Sequence, residues 1–467
     1  MYTLSSKLRL FSIILMAVGL IGVAIGFLLA PGSIEEVKEM EASHGEHVST
    51  YAAPAQTLEG NEDDEDGLDY VESEHELQTD RAGDHGEVVE ADGEDHGDEH
   101  YEHVLHQLQN KPWAALYVAA FFFFMIPLGA LVFYAIQYAA QAGWSPVLFR
   151  VMEGITSYLL PGGIIVFVLL VLSSLHLNHL FIWMDPEVVE NDAIIRNKSG
   201  YLNVPFFLLR AAFYIAGWAL FRHFLVRNSV RLDDAEEGDL FYFKKNFKLA
   251  AGFLVFFIVT ESMMSWDWIM SLDPHWFSTL FGWYVFASMF VSGITMIALV
   301  TIYLKSRGYL LFVNDSHIHD LAKFMFGISI FWTYLWFSQF MLIWYSNIPE
   351  EVTYFVTRIE DYGLLFFGMV VLNFLFPVLL LMNSDFKRVN WFVVMTGLVI
   401  LLGHYIDIYV MVMPATVGAS WFIGLPEISA LLFFTGLFIF VVFSSLTKAP
   451  LLVKRNPFLK ESEHFHY

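Results

Sequence analysis

The sequence predicts an all-α, polytopic integral membrane protein with about ten transmembrane helices, and three observations carry that reading. Apolar stretches of about twenty residues recur along the chain, each long enough to cross a hydrocarbon core of roughly 30 Å. Hydrophobic residues make up 56% of the 467 positions and charged residues only 16%. The apolar runs are continuous rather than alternating, which selects helices over the period-two strands of a membrane barrel.

The expected spans are Leu10–Ala30, Trp113–Ala139, Leu159–Trp183, Val204–Val226 and Leu249–Met270, then Phe281–Leu304, Phe324–Tyr345, Leu364–Met382, Trp391–Met413 and Ile428–Leu446. Several carry aromatic residues at their ends, where amphipathic rings favour the interface. The first run follows Lys7 and Arg9, as a signal peptide would. Its length and the lack of a small-x-small cleavage site make it a retained helix that also directs insertion.

Orientation comes from the basic residues. Of 25 Lys and Arg, 18 fall in segments on the side of both termini, six fall on the opposite side, and Arg210 lies within a helix. The bias places the two termini in the cytoplasm. The net charge of −24 is mostly one segment: Ser33–His106 holds 25 Asp or Glu against Lys38 and Arg81, and the remainder is nearly neutral. Such a segment cannot bury enough apolar surface to fold alone. Its eight His, as in EDHGDEH at Glu94–His100, suggest weak metal capture, and its charge suggests docking of a basic partner. The chain has no Cys, which excludes disulfides, thiolate-bound iron–sulfur clusters and covalently attached c-type haem within it.

Ionisable side chains inside a bilayer are costly, so each is a functional candidate. Most of them fall in the outer half of the membrane. His176 and His179 are placed on one face of the third span, Arg210 in the fourth, and Glu261 and Asp267 in the fifth. Gln339 lies in the seventh span, His404 and Asp407 share a face of the ninth, and Glu427 begins the tenth. The inner half shows Ser, Thr and Asn but almost no charge before Arg222 and His223. A quinol needs an acceptor for each phenolic proton, which His or carboxylate supplies, and an outer cluster would release protons outward. The bland reading stands beside it: buried polar residues also hold helices together, and Arg210 would then pair with Glu261 or Asp267. Two His-bearing helices at one depth would also suit a b-type haem, although no repeated pair stacks two such sites.

Three stretches carry a resemblance: TESMMSWDWIMSLDPHWFSTLFGWYVFASMFVSG at Thr260–Gly293, YLWFSQFMLIWYSNIPEEVTYF at Tyr334–Phe355, and GHYIDIYVMVMPA at Gly403–Ala415. With the ten-span layout, they resemble the ActF-type membrane subunit of alternative complex III, a bacterial quinol:cytochrome c oxidoreductase, related to the NrfD/polysulfide-reductase membrane subunits. The resemblance implies a first transmembrane helix (1–32), the acidic periplasmic loop (33–110), two antiparallel four-helix bundles (111–270 and 271–420), and a last helix with a cytoplasmic tail (421–467). It implies a bacterial inner membrane and no cofactor in this chain, with quinol or menaquinol as the substrate of the complex. Haem c and iron–sulfur clusters would reside in partners: a paralogous membrane subunit, an iron–sulfur subunit, multihaem and monohaem c-type cytochromes and an associated aa3-type oxidase. His176, His179, Arg210, Glu261, Asp267, His404 and Asp407 would then line one outer polar cavity for quinol or for half of a proton route. Two rivals remain open. A transporter or channel predicts a polar path through both halves or helices broken at the midplane; Pro161-Gly162-Gly163 sits at the inner end of its span instead. A structural anchor predicts polar residues that pair only with one another.

Overall fold

The computed structural model describes residues 2–38 and 93–466. Among the described residues, ten helices are long and apolar enough to cross a membrane, and there is no strand. They are α1 (Ser6–Leu28), α2 (Gly93–Ala139), α3 (Leu159–Ser174), α4 (Val204–Asp233) and α5 (Phe241–Trp268), followed by α6 (Phe281–Ser306), α7 (Asp315–Ser346), α8 (Gly363–Leu381), α9 (Asn390–Val417) and α10 (Leu425–Ser445). The chain is an all-α, multi-pass membrane protein. We call the face where α1 begins the amino face and the face where α1 ends the far face.

Met1–Ala30 and His106–Tyr467 form one unit, and Pro31–Leu105 a second. In the second unit, residues 34–38 and the first turns of α2 are helical. Most of the acidic segment lies outside the described residues, and with it the metal-capture and partner-docking readings.

Helices α2 and α6 occupy the middle of the first unit. Across the apolar windows of these two helices, 94% and 83% of residues are buried, against 22% for α1. They can approach closely because glycine faces glycine at their crossing. A Cβ on Gly129 would stand 2.2 Å from the Met289 carbonyl oxygen, and one on Gly293 would stand 2.5 Å from the Ala130 nitrogen. In lipid, where apolar burial does not drive helices together, such small-residue contacts supply the packing. Aromatic rings fill the space on either side. Phe124 of α2 packs on Trp218 and Trp268 of α4 and α5, and Phe133 packs on Phe290 and Phe324 of α6 and α7. The contacts join α3, α4 and α5 on one side of this centre and α7, α8 and α9 on the other, with α6 touching α5, α7 and α9.

Helix α1 stands apart and packs along α10 through a glycine stripe. Gly19 meets the Phe433 backbone, Gly22 the Ser429 side chain and Gly26 the ring of Pro426, while Gly436 of α10 meets the Ser12 carbonyl. The rest of α1 is exposed, with Leu10, Leu20 and Ile21 turned outward. That pattern suits a helix with one protein face and three lipid faces.

Two local departures from regular helix position side chains. The third span begins and ends earlier than the sequence suggested. A 3-10 turn at Pro146–Leu148 and a short helix at Phe149–Thr156 lead into α3, so the membrane-length segment is Pro146–Ser174. Ser173 Oγ donates to Asn178 Oδ1 at 2.7 Å, and the Leu180 N–H donates to the same oxygen at 3.3 Å. This side-chain turn competes with further helix, as short polar side chains do. Leu175 caps α3, and His176 adopts a left-handed φ of 56°. His176 and His179 therefore lie in a loop rather than on one helix face. In α8, five residues, Val371–Leu375, form a π turn ahead of Pro377. Proline removes one backbone donor and clashes with the preceding turn, and the wider turn absorbs both effects.

On the amino face, the carboxy-terminal tail ties the two groups. Ser462 Oγ donates to the Trp144 carbonyl at 2.6 Å, the Ser462 carbonyl lies 3.0 Å from His317 Nε2, and the Lys454 N–H donates to Asp233 at 2.8 Å.

If the α2–α6 crossing sets the fold, Gly293→Val should lower the melting temperature of the detergent-purified chain, since overpacking costs about 1–3 kcal/mol. Gly252→Ala, whose nearest added contact is Phe221 at 3.8 Å, should leave it unchanged. Equal melting of the two variants would count against a crossing that depends on close approach.

Candidate functional site

Two buried polar clusters form in the far-face half, one in each helix group. In the first, Arg210 of α4 meets Asp267 in the last turn of α5. Arg210 Nε donates to Oδ2 at 2.8 Å and Nη2 to Oδ1 at 2.9 Å, the two-pronged geometry that suits guanidinium and carboxylate. Nη1 donates to the Tyr201 carbonyl at 3.0 Å, and the guanidinium lies over the rings of Tyr201 and Phe206 at 3.9 and 4.3 Å. Tyr214 donates its hydroxyl to Asp267 at 3.1 Å. Both charges are buried and both are satisfied, which describes a structural clamp.

Glu261 lies on α5, nearly two turns deeper than Asp267. It is 3% exposed; Ser265 donates to one of its oxygens at 3.1 Å and Ser262 to the other at 3.5 Å. Among the described residues, no cation stands within ion-pair distance of it.

The second cluster draws on all four helices of its group. Asp407 of α9 accepts from the Tyr284 hydroxyl of α6 and from Trp332 Nε1 of α7 at 2.9 Å. One turn earlier on α9, His404 places Nδ1 3.3 Å from Asp407 Oδ2 and 2.9 Å from Ser288 Oγ. The π turn of α8 brings Asn373 Nδ2 to 3.5 Å from the same ring nitrogen. Gly403 makes room for it, since a Cβ there would stand 2.1 Å from Asn373 Oδ1. Trp332 packs edge-on against the His404 ring at 5.3 Å. We assign the Nδ1 hydrogen from the carboxylate beside it, as is usual when histidine pairs with aspartate. Nε2 is then a bare lone pair, and it has no hydrogen-bond partner although it is fully buried.

A small cavity adjoins Asp407, lined also by Tyr284, Gln339, Tyr354 and Arg358. Its volume is about 10 Å³, room for one water. Arg358 is 3% exposed and donates to the carbonyls of Val410, Met411 and Tyr354, while its guanidinium stacks on the Tyr354 ring at 3.3 Å. That ring stacks in turn on Trp276 at 3.8 Å. The positive charge is held by neutral partners beside the Asp407 carboxylate.

The seven sequence candidates thus separate. Arg210 joins Asp267 and His404 joins Asp407, but Glu261 stands alone. Of the seven, only Asp407 lines the cavity beside it. His179 sits in the loop after α3, with its backbone held by the Asn110 side chain at 2.9 and 3.2 Å and its ring 5.4 Å from His106. Partial burial, and secondarily the neighbouring His106, lowers its pKa. In a nearby loop, the backbone N–H of Ile195 and the paired His275 ring lower the pKa of Asp192. Among the described residues, no group of three or more His, Asp or Glu could hold a metal ion.

Sequence reasoning missed several members. Tyr284, Ser288, Trp332 and Asn373 are ordinary residues for apolar helices, and only the fold aims them at α9. Arg358 falls outside the expected spans. At the amino face, Glu153 falls outside the expected spans, yet it is buried, accepting from Tyr134 at 2.7 Å and pairing with Arg150, which also pairs with Asp233. The strongly one-sided helix Phe149–Thr156 was the signal that could have found it. The inner half is less empty of charge than the sequence suggested.

Breaking a buried ion pair leaves an uncompensated charge, at a cost of about 3–5 kcal/mol. Arg210→Met and Asp267→Leu should each destabilise the purified chain in thermal unfolding, and the double variant should recover most of the loss. Additive losses would mean that the pair is not a closed structural unit.

Compared with known proteins, the chain matches no protein-family model and no curated sequence.

Proposed function

We propose that this chain is a membrane-integral subunit of a respiratory quinol:cytochrome c oxidoreductase of the alternative complex III type, and that its second helix group transfers protons at the far face. The class of complex rests on the sequence resemblance, and the observation that carries the proton-transfer role is the unpartnered Nε2 of buried His404, backed at Nδ1 by Asp407. A histidine so placed can take a proton at Nε2, with the resulting imidazolium held by the carboxylate, and return it when the next acceptor loses its own. The adjoining water-sized cavity extends the chain of groups toward Gln339 and Arg358. That cavity has no room for a quinol ring, which favours the proton-transfer role of this cluster over a quinol pocket.

In this reading the far face is periplasmic and the membrane is a bacterial inner membrane. Quinol oxidation releases two protons and two electrons. The electrons pass to iron–sulfur clusters and c-type haem in partner subunits, and this chain handles protons without holding a redox centre. The satisfied Arg210–Asp267 clamp supports a structural role for the first helix group, so the anchor reading applies to that half.

The test is to purify the tagged chain from native membranes with its partners and measure haem content, quinol-dependent cytochrome c reduction and proton release. His404→Gln and Asp407→Asn should each cut proton release and turnover by about 10²-fold, a typical contribution of a positioned proton carrier, with haem content unchanged. Undiminished turnover and proton release in both variants would overturn the proton role. A preparation without c-type haem would overturn the assignment to this class of complex.

A further inference from the structure

A second and larger cavity opens on the amino face, between the lead-in helix Phe149–Thr156, α4 and α10. Its volume is about 490 Å³, within the range of ligand sites. Its polar lining is formed by Arg150, Arg222, Lys448 and Ser157 together with the carboxylate of Glu153. The rest of the wall is apolar, with Val226, Val230, Phe440 and Val441.

The charges there do not balance. Arg150 is occupied by Glu153 and Asp233, although its Nε, in a residue only 4% exposed, has no hydrogen-bond partner. Arg222 has only neutral partners: Nε donates to Thr156 Oγ1 at 3.2 Å and Nη2 to the Glu153 carbonyl at 3.4 Å. Among the described residues, no carboxylate lies within ion-pair distance of Arg222 or of exposed Lys448. Glu153 acts on Arg222 only at longer range, and Lys448 has no carboxylate beside it among the described residues. These cations beside an apolar wall therefore select a ligand that is anionic at one end and hydrocarbon at the other.

We infer that this cavity holds an anionic phospholipid, its phosphate on Arg222 and Lys448 and the start of an acyl chain along Val226, Phe440 and Val441. Basic pockets between helices are suited to such headgroups. A free phosphate would use the cations and leave the apolar wall wet. A choline lipid would bring its own positive charge to these cations. The wall also reaches the outside of the bundle, since Val230 is 38% exposed, so a chain can enter sideways from the bilayer. The same face carries 18 of the 25 Lys and Arg of the protein, which draws anionic lipid to it.

The experiment uses the full chain, stripped of lipid in detergent and then offered phosphatidylglycerol, phosphatidylcholine or inorganic phosphate. Retained lipid is counted by native mass spectrometry, and melting temperature is recorded in parallel. Phosphatidylglycerol should be retained roughly tenfold more than phosphatidylcholine, and Arg222→Gln with Lys448→Gln should abolish that preference. Val230→Trp, which fills the cavity mouth without touching charge, should expel bound lipid and keeps the test decisive if the double variant does not fold. Equal retention of the two lipids, stabilisation by inorganic phosphate alone, or a full preference surviving in both variants would each overturn the inference.

Discussion

The close crossing of α2 and α6 is the constraint on which the rest of this structure depends. Hydrocarbon solvates an apolar side chain as well outside a helix bundle as inside it, so burial alone cannot choose which helices touch. Gly129 and Gly293 let two backbones meet at distances that any Cβ would prevent. Once they meet, the aromatic rings of α2 have fixed neighbours on both sides, in α4 and α5 through Phe124 and in α6 and α7 through Phe133. The two far-face clusters are set by that arrangement, because Asp407 reaches Tyr284 only where α6 stands against α9.

The clusters contrast in how far their hydrogen-bonding needs are met. Around Arg210 and Asp267, three guanidinium nitrogens and both carboxylate oxygens have partners, and two rings cover the cation. Around His404 every partner crowds Nδ1, and the opposite nitrogen is left bare in the interior. An unmet polar atom inside a low-dielectric bundle costs free energy. A ring left bare at Nε2 and backed at Nδ1 by a carboxylate that lines a water-sized space is consistent with proton transfer, whereas the closed clamp is consistent with holding helices together.

The amino face follows a different logic. Arg150 bridges Glu153 on the lead-in helix to Asp233 at the end of α4, and Asp233 in turn receives the Lys454 backbone. Ser462 reaches the loop before that helix and the first turn of α7 together. The tail thus joins the two helix groups at the amino face, and the cavity there is bounded by Arg150 and Arg222.

By itself the sequence determined the membrane class, the ten spans and the identity of most ionisable residues within them, because length and hydropathy of an apolar run are local properties. Nine of the ten spans lie close to where the sequence put them, and the third is displaced because Ser173 and Asn178 close a turn that hydropathy does not register. The i and i+3 spacing correctly paired His404 with Asp407, since both sit on one regular helix. The same spacing misled for His176 and His179, where the helix had already ended. Only the tertiary structure decided that Arg210 takes Asp267 rather than Glu261, that the candidates divide between two helix groups, and that Tyr284, Trp332 and Asn373 complete the second cluster. Those outcomes depend on which helix faces meet, and that is settled by packing between residues on different helices, from 31 positions apart for Asn373 and His404 to 123 for Tyr284 and Asp407, which no local pattern encodes.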